Sequence, residues 1–209
     1  MKSLLLLFVI GIFSTVSAQT DSVILLNKPS DVRGKNVMEA FANRASVREF
    51  SSEELSLQDI SDLLWAANGI NRAAEGKRTA PTAMNSQDVD IYVVMMQGSY
   101  LYDAKNHKLV LVDVADNRAM VAGAQKNFAN APLFCVMVSD ISRFTRGEET
   151  QKMSWAAMDA SMVSQNINLF CAGVGLKTRP RVFMEVDNLR KALKLSSTQY
   201  PMINNPVGK

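Results

Sequence analysis

Histidine is almost absent from this chain: His107 is the single one in 209 residues. Cysteine is nearly as scarce, with only Cys135 and Cys171. Zinc sites and Ser-His-Asp nucleophilic sites need convergent imidazoles or thiolates, so these two shortages all but exclude both. Two cysteines also fall short of the disulfide framework of a small secreted scaffold. Inert buried thiols are the default for both, with a single Cys135–Cys171 bridge as the alternative. Neither sign of charge dominates: 23 Lys and Arg face 20 Asp and Glu, a net of +3. Nucleic-acid binders usually carry a strong basic surplus, so no nucleic-acid partner is expected. The P-loop pattern is missing, and Gly173-Val174-Gly175 follows a helical stretch rather than a strand, so it is no dinucleotide fingerprint. The acidic pairs Glu53-Glu54 and Glu148-Glu149 lie in turn-like sequence, where adjacent carboxylates are ordinarily solvated. No side chain stands out as a nucleophile or general base.

Long apolar runs are confined to the start. Met1-Lys2 is a short positive segment, Leu4 to Phe13 is apolar apart from Gly11, and Val16-Ser17-Ala18 places small residues before Gln19. This is the pattern of a secretory signal peptide over residues 1–18. Its apolar run is about ten residues, short of the roughly 20 that a membrane span needs. The expectation is an exported, periplasmic chain with no membrane span once the leader is removed. Residues 19–209 would then form a single domain.

Residues 19–34 have no period and read as an arm. Asn36 opens a short helix with Val37, Met38 and Phe41 on its apolar face. Ser56, with Asp59 three residues on, reads as the capped start of a helix over 57–67 that Asn68-Gly69 ends. Residues 71–87 read as a long polar loop, a length that in compact domains marks function or disorder. The stretches 90–97 and 133–138 are apolar on both faces, which predicts central strands. Residues 100–103 and 108–114 pair as a hairpin with His107 near its tip. Asn117 is expected to cap a helix running to about Phe128. The stretch 151–172 is apolar almost all round, which predicts a helix buried on every side. At roughly 33 Å it is more than a chain of this size can wrap alone, so a subunit interface is expected. An extended segment over 176–182, a helix over 185–195 and an extended tail over 200–209 close the chain. The fold class is α+β.

What the chain offers in place of acids and bases is donors. Arg44, Ser46 and Arg48 stand at alternate positions, so an extended backbone puts them on one face. Arginine is suited to planar, bidentate oxyanion contacts. Thr82, Asn85 and Gln87 add hydroxyl and amide groups from the polar loop. Such an inventory suits a bound cofactor that brings its own reactivity.

Seven pieces in order then carry a resemblance. They are Arg44-x-Ser46-x-Arg48-x-Phe50, the run from Leu63 to Gly69, Pro81-Thr82-Ala83-x-Asn85-x-Gln87, Ala131-Pro132 entering a strand, Gln165-Asn166-x-x-Leu169, Gly175-Leu176, and the closing Pro206-Val207-Gly208. In these the chain resembles the nitroreductase-like family of FMN-dependent oxidoreductases. The resemblance implies a central, mostly antiparallel sheet flanked by helices, a long central helix, and an intertwined homodimer with FMN at the subunit interface. It implies that Arg44, Ser46 and Arg48 meet the FMN phosphate, ribityl chain and ring edge. Pro81, Thr82, Ala83 and Asn85 would reach the partner's FMN, and Gln125 would be a polar flavin contact. Pro180, Arg181 and Val182 would pass the flavin N5 edge, and Lys209 would lie near the phosphate. It also implies ping-pong transfer between a reduced donor, NAD(P)H in typical relatives, and a nitroaromatic, quinone or other small acceptor. The alternative is a flavin-binding or interaction module of the same fold without turnover. Two departures are Thr82, where the family more often has serine, and Asp88, where many members have proline. The leader is a third, because an exported enzyme would not meet cytoplasmic NAD(P)H.

Overall fold

The computed structural model describes residues 21–209; the leader expected over 1–18 lies outside them. Nine strands and five α-helices alternate along these residues. The strands are β1 (Val23–Leu25), β2 (Ile70–Arg72), β3 (Lys77–Arg78), β4 (Val89–Met95), β5 (Gly98–Asp103), β6 (Lys108–Asp113), β7 (Leu133–Asp140), β8 (Lys177–Thr178) and β9 (Gln199–Gly208). The helices are α1 (Val37–Asn43), α2 (Leu57–Asn68), α3 (Arg118–Ala122), α4 (Glu149–Val174) and α5 (Val186–Ala192). Seven strands make one sheet in the order β1-β6-β5-β4-β7-β9-β8, and every paired strand in it is antiparallel. The α+β class and the two central strands expected from sequence are found.

The sheet is covered on both faces, and the period of two explains how. In β4 and β7, Ile91, Val93, Cys135 and Met137 point one way, where α2 and α4 supply Leu63, Leu64, Ala67, Val163 and Ile167. Their neighbours Tyr92, Val94, Phe134, Val136 and Val138 point the other way, onto Val121, Phe128, Leu189 and Leu193. Each such aliphatic or aromatic side chain stabilises by about 1.5–3 kcal/mol when fully buried. A strand needed by two cores must be apolar throughout, as β4 and β7 are. Cys135 and Cys171 are both buried in the first core and both free. Burial pushes the Cys135 thiol up to about 12 and the Cys171 thiol up as well, so both are inert.

Helix α2 starts as expected. Ser56 Oγ accepts from the Asp59 amide at 3.0 Å, and an Asp59 carboxylate oxygen accepts from the Ser56 amide at 3.1 Å. Gly69 follows the helix in an ordinary extended conformation (φ −73°), so no left-handed cap demands it. A side chain there would stand 2.5 Å from the Trp65 ring, and close approach is the reason for glycine.

Four expectations change. The 71–87 loop is partly ordered, because β2 and β3 pair across Gly76 in its left-handed conformation (φ +64°). Strands of two and three residues are too short to display a period. The helix expected from Asn117 to Phe128 is broken: α3 stops at Gly123, whose φ of +57° lies in the left-handed range, and Lys126–Asn130 form a separate 3₁₀ turn. Gly123 also packs on Phe183, which a Cβ would approach to 2.8 Å. The Asn117 side chain does not cap; it donates to Ser99 Oγ at 3.0 Å and Asp113 Oδ2 at 2.8 Å. The tail is strand β9, inserted between β7 and β8. Its two prolines disguised it, since proline is uncommon inside sheets. Pro206 stands just beyond the end of β8, and the ladder with β7 shifts register between Met137 and Val138, close to Pro201. Finally, α4 is 26 residues, about 39 Å, and is not buried on every side of this chain. Ala156, Ala160, Val163 and Ile167 are fully buried against the sheet, whereas Met158 and Met162 are 60% and 49% exposed.

The N-terminal arm is tied down. Strand β1 pairs with β6, the Asn27 amide donates to Ser61 Oγ at 2.9 Å, and Arg33 pairs with Asp59 and Asp62 of α2. His107 closes this corner. Its Nε2 donates to Asn27 O and its Nδ1 accepts from Tyr102 OH, both at 2.9 Å. Burial lowers its pKa, so the imidazole is a neutral structural link rather than a proton carrier.

Candidate functional site

The Arg44–Arg48 segment leaves α1 in an extended conformation (Arg44 φ −60°, ψ 121°). It lies beside β8: Ser46 forms a parallel bridge with Thr178, and the Val47 amide donates to Thr178 O at 3.2 Å. Val47 turns inward against the second core, and Arg44, Ser46 and Arg48 are exposed. Ala45 and Glu49 are exposed as well and Arg48 stands at a bend, so a strictly alternating extended face does not run through the segment. Neither guanidinium meets a carboxylate among the described residues, unlike those of Arg33, Arg118 and Arg143. The strand they lean on is held by a buried polar network. Asn205 donates to Asn168 Oδ1 and Thr178 Oγ1, both at 3.1 Å, and accepts from Ser164 Oγ at 2.6 Å. Thr178 Oγ1 in turn donates to Pro206 O at 2.8 Å. Fully partnered buried groups of this kind fix one arrangement.

Lys209 joins this side of the molecule. Its carbonyl accepts from the Ser51 amide at 3.2 Å, and its exposed ammonium pairs with Glu53. Pro180, Arg181 and Val182 continue from β8. The Arg181 amide donates to Asn204 O at 2.8 Å, and its guanidinium turns into the protein. It donates to the carbonyls of Val121 and Ala122, to Asn204 Oδ1 and to Gln125 Oε1, and lies 4.5 Å from the centre of the Phe128 ring. Burial, with the nearby charge of Arg179 added, lowers the Arg181 pKa to about 10. Two expected contacts are thus internal: the Arg181 side chain faces inward, and the Gln125 side-chain oxygen is engaged by it. Val182 and Phe183 are 72% and 51% exposed beside them, an apolar lip that no sequence pattern signalled.

Pro81, Thr82, Ala83 and Asn85 stand elsewhere. Their loop packs on α4 near Asp159, whose Oδ2 accepts from the Ala83 amide at 2.8 Å. Asn168, under the Ser46 region, is nine positions farther along the helix, about 13 Å. Met84, Asn85 and Gln87 all have positive φ (56°, 53° and 48°). A left-handed conformation costs about 1–2 kcal/mol for each such residue, so surrounding bonds must hold it. The Gln87 amide donates to Thr82 Oγ1 at 2.9 Å, its side chain bonds Arg78 Nε and Gly76 O at 3.0 Å each, and its carbonyl accepts from Arg143 at 2.9 Å.

The arrangement is a rigid donor edge on one side and a strained polar loop on another. A sequence profile described as the Nitroreductase family matches residues 41–209, from the end of α1 through β9. The chain belongs to the nitroreductase family. Membership makes it an oxidoreductase in a flavin-dependent family. A provisionally named nitroreductase of Methanocaldococcus jannaschii is 28% identical over 188 residues, covering 86% of this chain and 93% of that protein. A crystal structure of a provisional nitroreductase from Ralstonia eutropha is 30% identical, with a TM-score of 0.85 over 92% of this chain and 91% of that one. A Staphylococcus epidermidis structure described as an NAD(P)H:FMN oxidoreductase has the same fold at 14% identity, with a TM-score of 0.62 over 88% of this chain and 90% of that one. The described residues contain no helix long and apolar enough to cross a membrane.

Proposed function

We propose that this nitroreductase-family chain binds FMN and works as a homodimer, moving hydride equivalents between a reduced donor and a small organic acceptor in ping-pong order. The observation that carries the cofactor is the pair Arg44 and Arg48, both exposed and, among the described residues, without carboxylate partners, on a backbone joined to β8 at Ser46. Two guanidiniums and the Ser46 hydroxyl suit a phosphate dianion and its sugar chain. Bound FMN would supply a ring that accepts and returns hydride, which agrees with a chain lacking acid–base side chains. The Lys209 ammonium would add charge near the phosphate. Because the Arg181 amide is engaged by Asn204, the donor toward the flavin edge in the 180–182 segment would be the Val182 amide. Acceptors would lie against Val182 and Phe183.

The dimer is supported by exposed apolar surface. Pro81–Asn85 and Arg44–Arg48 stand at separate places along α4, and in the dimer a second copy would supply the loop. The exposed Met158 and Met162 of α4, and Met38 and Phe41 of α1, supply apolar surface for that contact. A nitroaromatic or quinone fits the apolar lip as acceptor. With residues 1–18 read as an export signal, the donor would be other than cytoplasmic NAD(P)H.

Colour decides the cofactor. Purified protein should be yellow or take up added FMN, and should bleach with dithionite and recover with a quinone. Protein that stays colourless with excess FMN would overturn the reading. Yellow protein that bleaches with dithionite but never passes electrons to an acceptor would favour the binding module. Arg44→Ala should weaken FMN binding by about 1.5–3 kcal/mol through loss of a charge-assisted hydrogen bond, measured by quenching of flavin fluorescence. Unchanged affinity would remove Arg44 from the phosphate.

A further inference from the structure

A groove opens at the edge of the sheet farthest from the Arg44–Arg48 segment. Strand β1 stands at one end of the strand order and β8 at the other. Six strand spacings of about 4.8 Å separate them, roughly 29 Å along the sheet. The groove lies between the end of β1, the turn from β5 to β6, the last turn of α2, and β2. Its volume is about 650 Å³, inside the range of about 300–1,000 Å³ for small-molecule sites. Leu25, Leu26, Pro29, Trp65, Ile70 and Ala104 make its apolar lining, and Leu25 is 72% exposed.

Its walls are held before any ligand arrives. The Leu26 amide donates to His107 O at 3.2 Å and His107 Nε2 donates to Asn27 O at 2.9 Å, so the arm and the hairpin tip are tied together. Trp65 Nε1 donates to Ile70 O at 3.3 Å, and the missing side chain at Gly69 leaves room for its ring. A preformed site of this kind spares the ligand the cost of ordering it.

The same bonds use up the polar side-chain nitrogens inside. Those of Trp65 and His107 are engaged, and the Asn106 side chain donates to Asp103 Oδ2 at 2.6 Å. A peptide pressed into this lining would leave its carbonyls without donors, whereas a hydrocarbon chain has no polar group to satisfy. Lys28 and Lys105 stand exposed at the rim, and neither ammonium meets a carboxylate among the described residues. The acids of the surrounding elements are already taken: Asp59 and Asp62 pair with Arg33, Glu75 with Lys77, and Asp103 with Lys108.

We propose that this groove binds an aliphatic carboxylate, its chain along Trp65 and Ile70 and its headgroup at the Lys28 and Lys105 ammoniums. The site is separate from the proposed cofactor edge and does not rest on the FMN reading. The unpaired lysines set the sign of the ligand, and the lining sets its body. Burial of the chain supplies most of the affinity, because exposed ion pairs contribute little each.

Trp65 provides the test. The only other tryptophan, Trp155, packs on Phe144 in a different cluster. Trp155→Phe therefore leaves one indole, and that indole lines the groove. ω-Bromoundecanoate, whose bromine quenches indole on contact, should quench it saturably below the concentration at which the probe forms micelles. Lys28→Glu combined with Lys105→Glu should weaken the carboxylate about tenfold and leave the uncharged ω-bromoundecanol unchanged. In competition with the probe, affinity should rise about two- to fourfold for each methylene added from octanoate to undecanoate. Quenching that never saturates, a double variant with wild-type affinity for the carboxylate, or affinity independent of chain length overturns the proposal. So does a carboxylate that strips flavin from the protein at the same midpoint, since it would then occupy the cofactor edge. If Trp155→Phe does not fold, calorimetry of undecanoate with the wild type and the double lysine variant decides the same point. Protein that never holds flavin fails the cofactor reading alone and leaves this test unchanged.

Discussion

Arg181→Ala is expected to lower stability by about 3–5 kcal/mol, the scale for removing one partner from a buried charged network. Arg181 is 6% exposed and its guanidinium serves four acceptors: the carbonyls of Val121 and Ala122, Asn204 Oδ1 and Gln125 Oε1. Each acceptor left dry costs about 1–3 kcal/mol, and the cavity over Phe128 adds to it. No carboxylate among the described residues pairs with this cation, so its solvation there is by dipoles and the aromatic face. Denaturant titration measures the effect. Arg181→Lys should recover only part of the loss, because an ammonium cannot reproduce the planar fork. A change below about 1 kcal/mol for the alanine variant would mean that the neighbouring segments rearrange to rehydrate those acceptors. Where the variant is still folded, its FMN affinity should fall less than that of Arg44→Ala, since the Arg181 side chain faces away from the proposed cofactor.

The second large effect is on assembly. Met158→Glu combined with Met162→Glu should convert the protein to a monomer and strip its FMN. The two methionines are 60% and 49% exposed in one chain, with Ala157 and Ser161 beside them on α4. In the proposed dimer each glutamate would be buried without a cation, which costs several kcal/mol per ion. Both positions face solvent in the single chain, so folding itself should change by little, within about 0.5 kcal/mol. Light scattering with flavin absorbance on the same sample reads both outcomes. Wild-type protein that is monomeric and still yellow would mean that one chain holds the cofactor alone.

The parts legible in the sequence were those with a strong local cause. The capping box at Ser56 and Asp59 and the double-sided apolar runs of β4 and β7 each announce one structure. Arg44, Ser46 and Arg48 were readable as an exposed polar segment, whereas the bend at Arg48 that interrupts their alternation was not. The parts missed were those decided by tertiary partners. Strand β9 carries two prolines and is a strand only because β7 receives it. Gly123 reads as an ordinary helical glycine until its φ and its contact with Phe183 are seen. The inward turn of Arg181 has no local signal either: an arginine beside Pro180 reads as a surface donor, and the carbonyls that draw it in come from α3.

Strand β9 has a consequence for how the chain finds its fold. Its ladder with β7 pairs Leu133 with Val207 and Asp140 with Gln199, and all of α4 and α5 lies between. The hairpin β5–β6 can close at once, whereas the middle of the sheet must wait for that long segment to return. Loop-closure entropy is met before any of those bonds forms, which is the circumstance that slows folding in non-local topologies. Until β9 arrives, β7 presents an open apolar edge, the kind of surface on which chains associate. The slot between β7 and β8 is therefore where this protein is most exposed to misassembly during refolding. Dilution should raise the yield of native protein far more than added cofactor does.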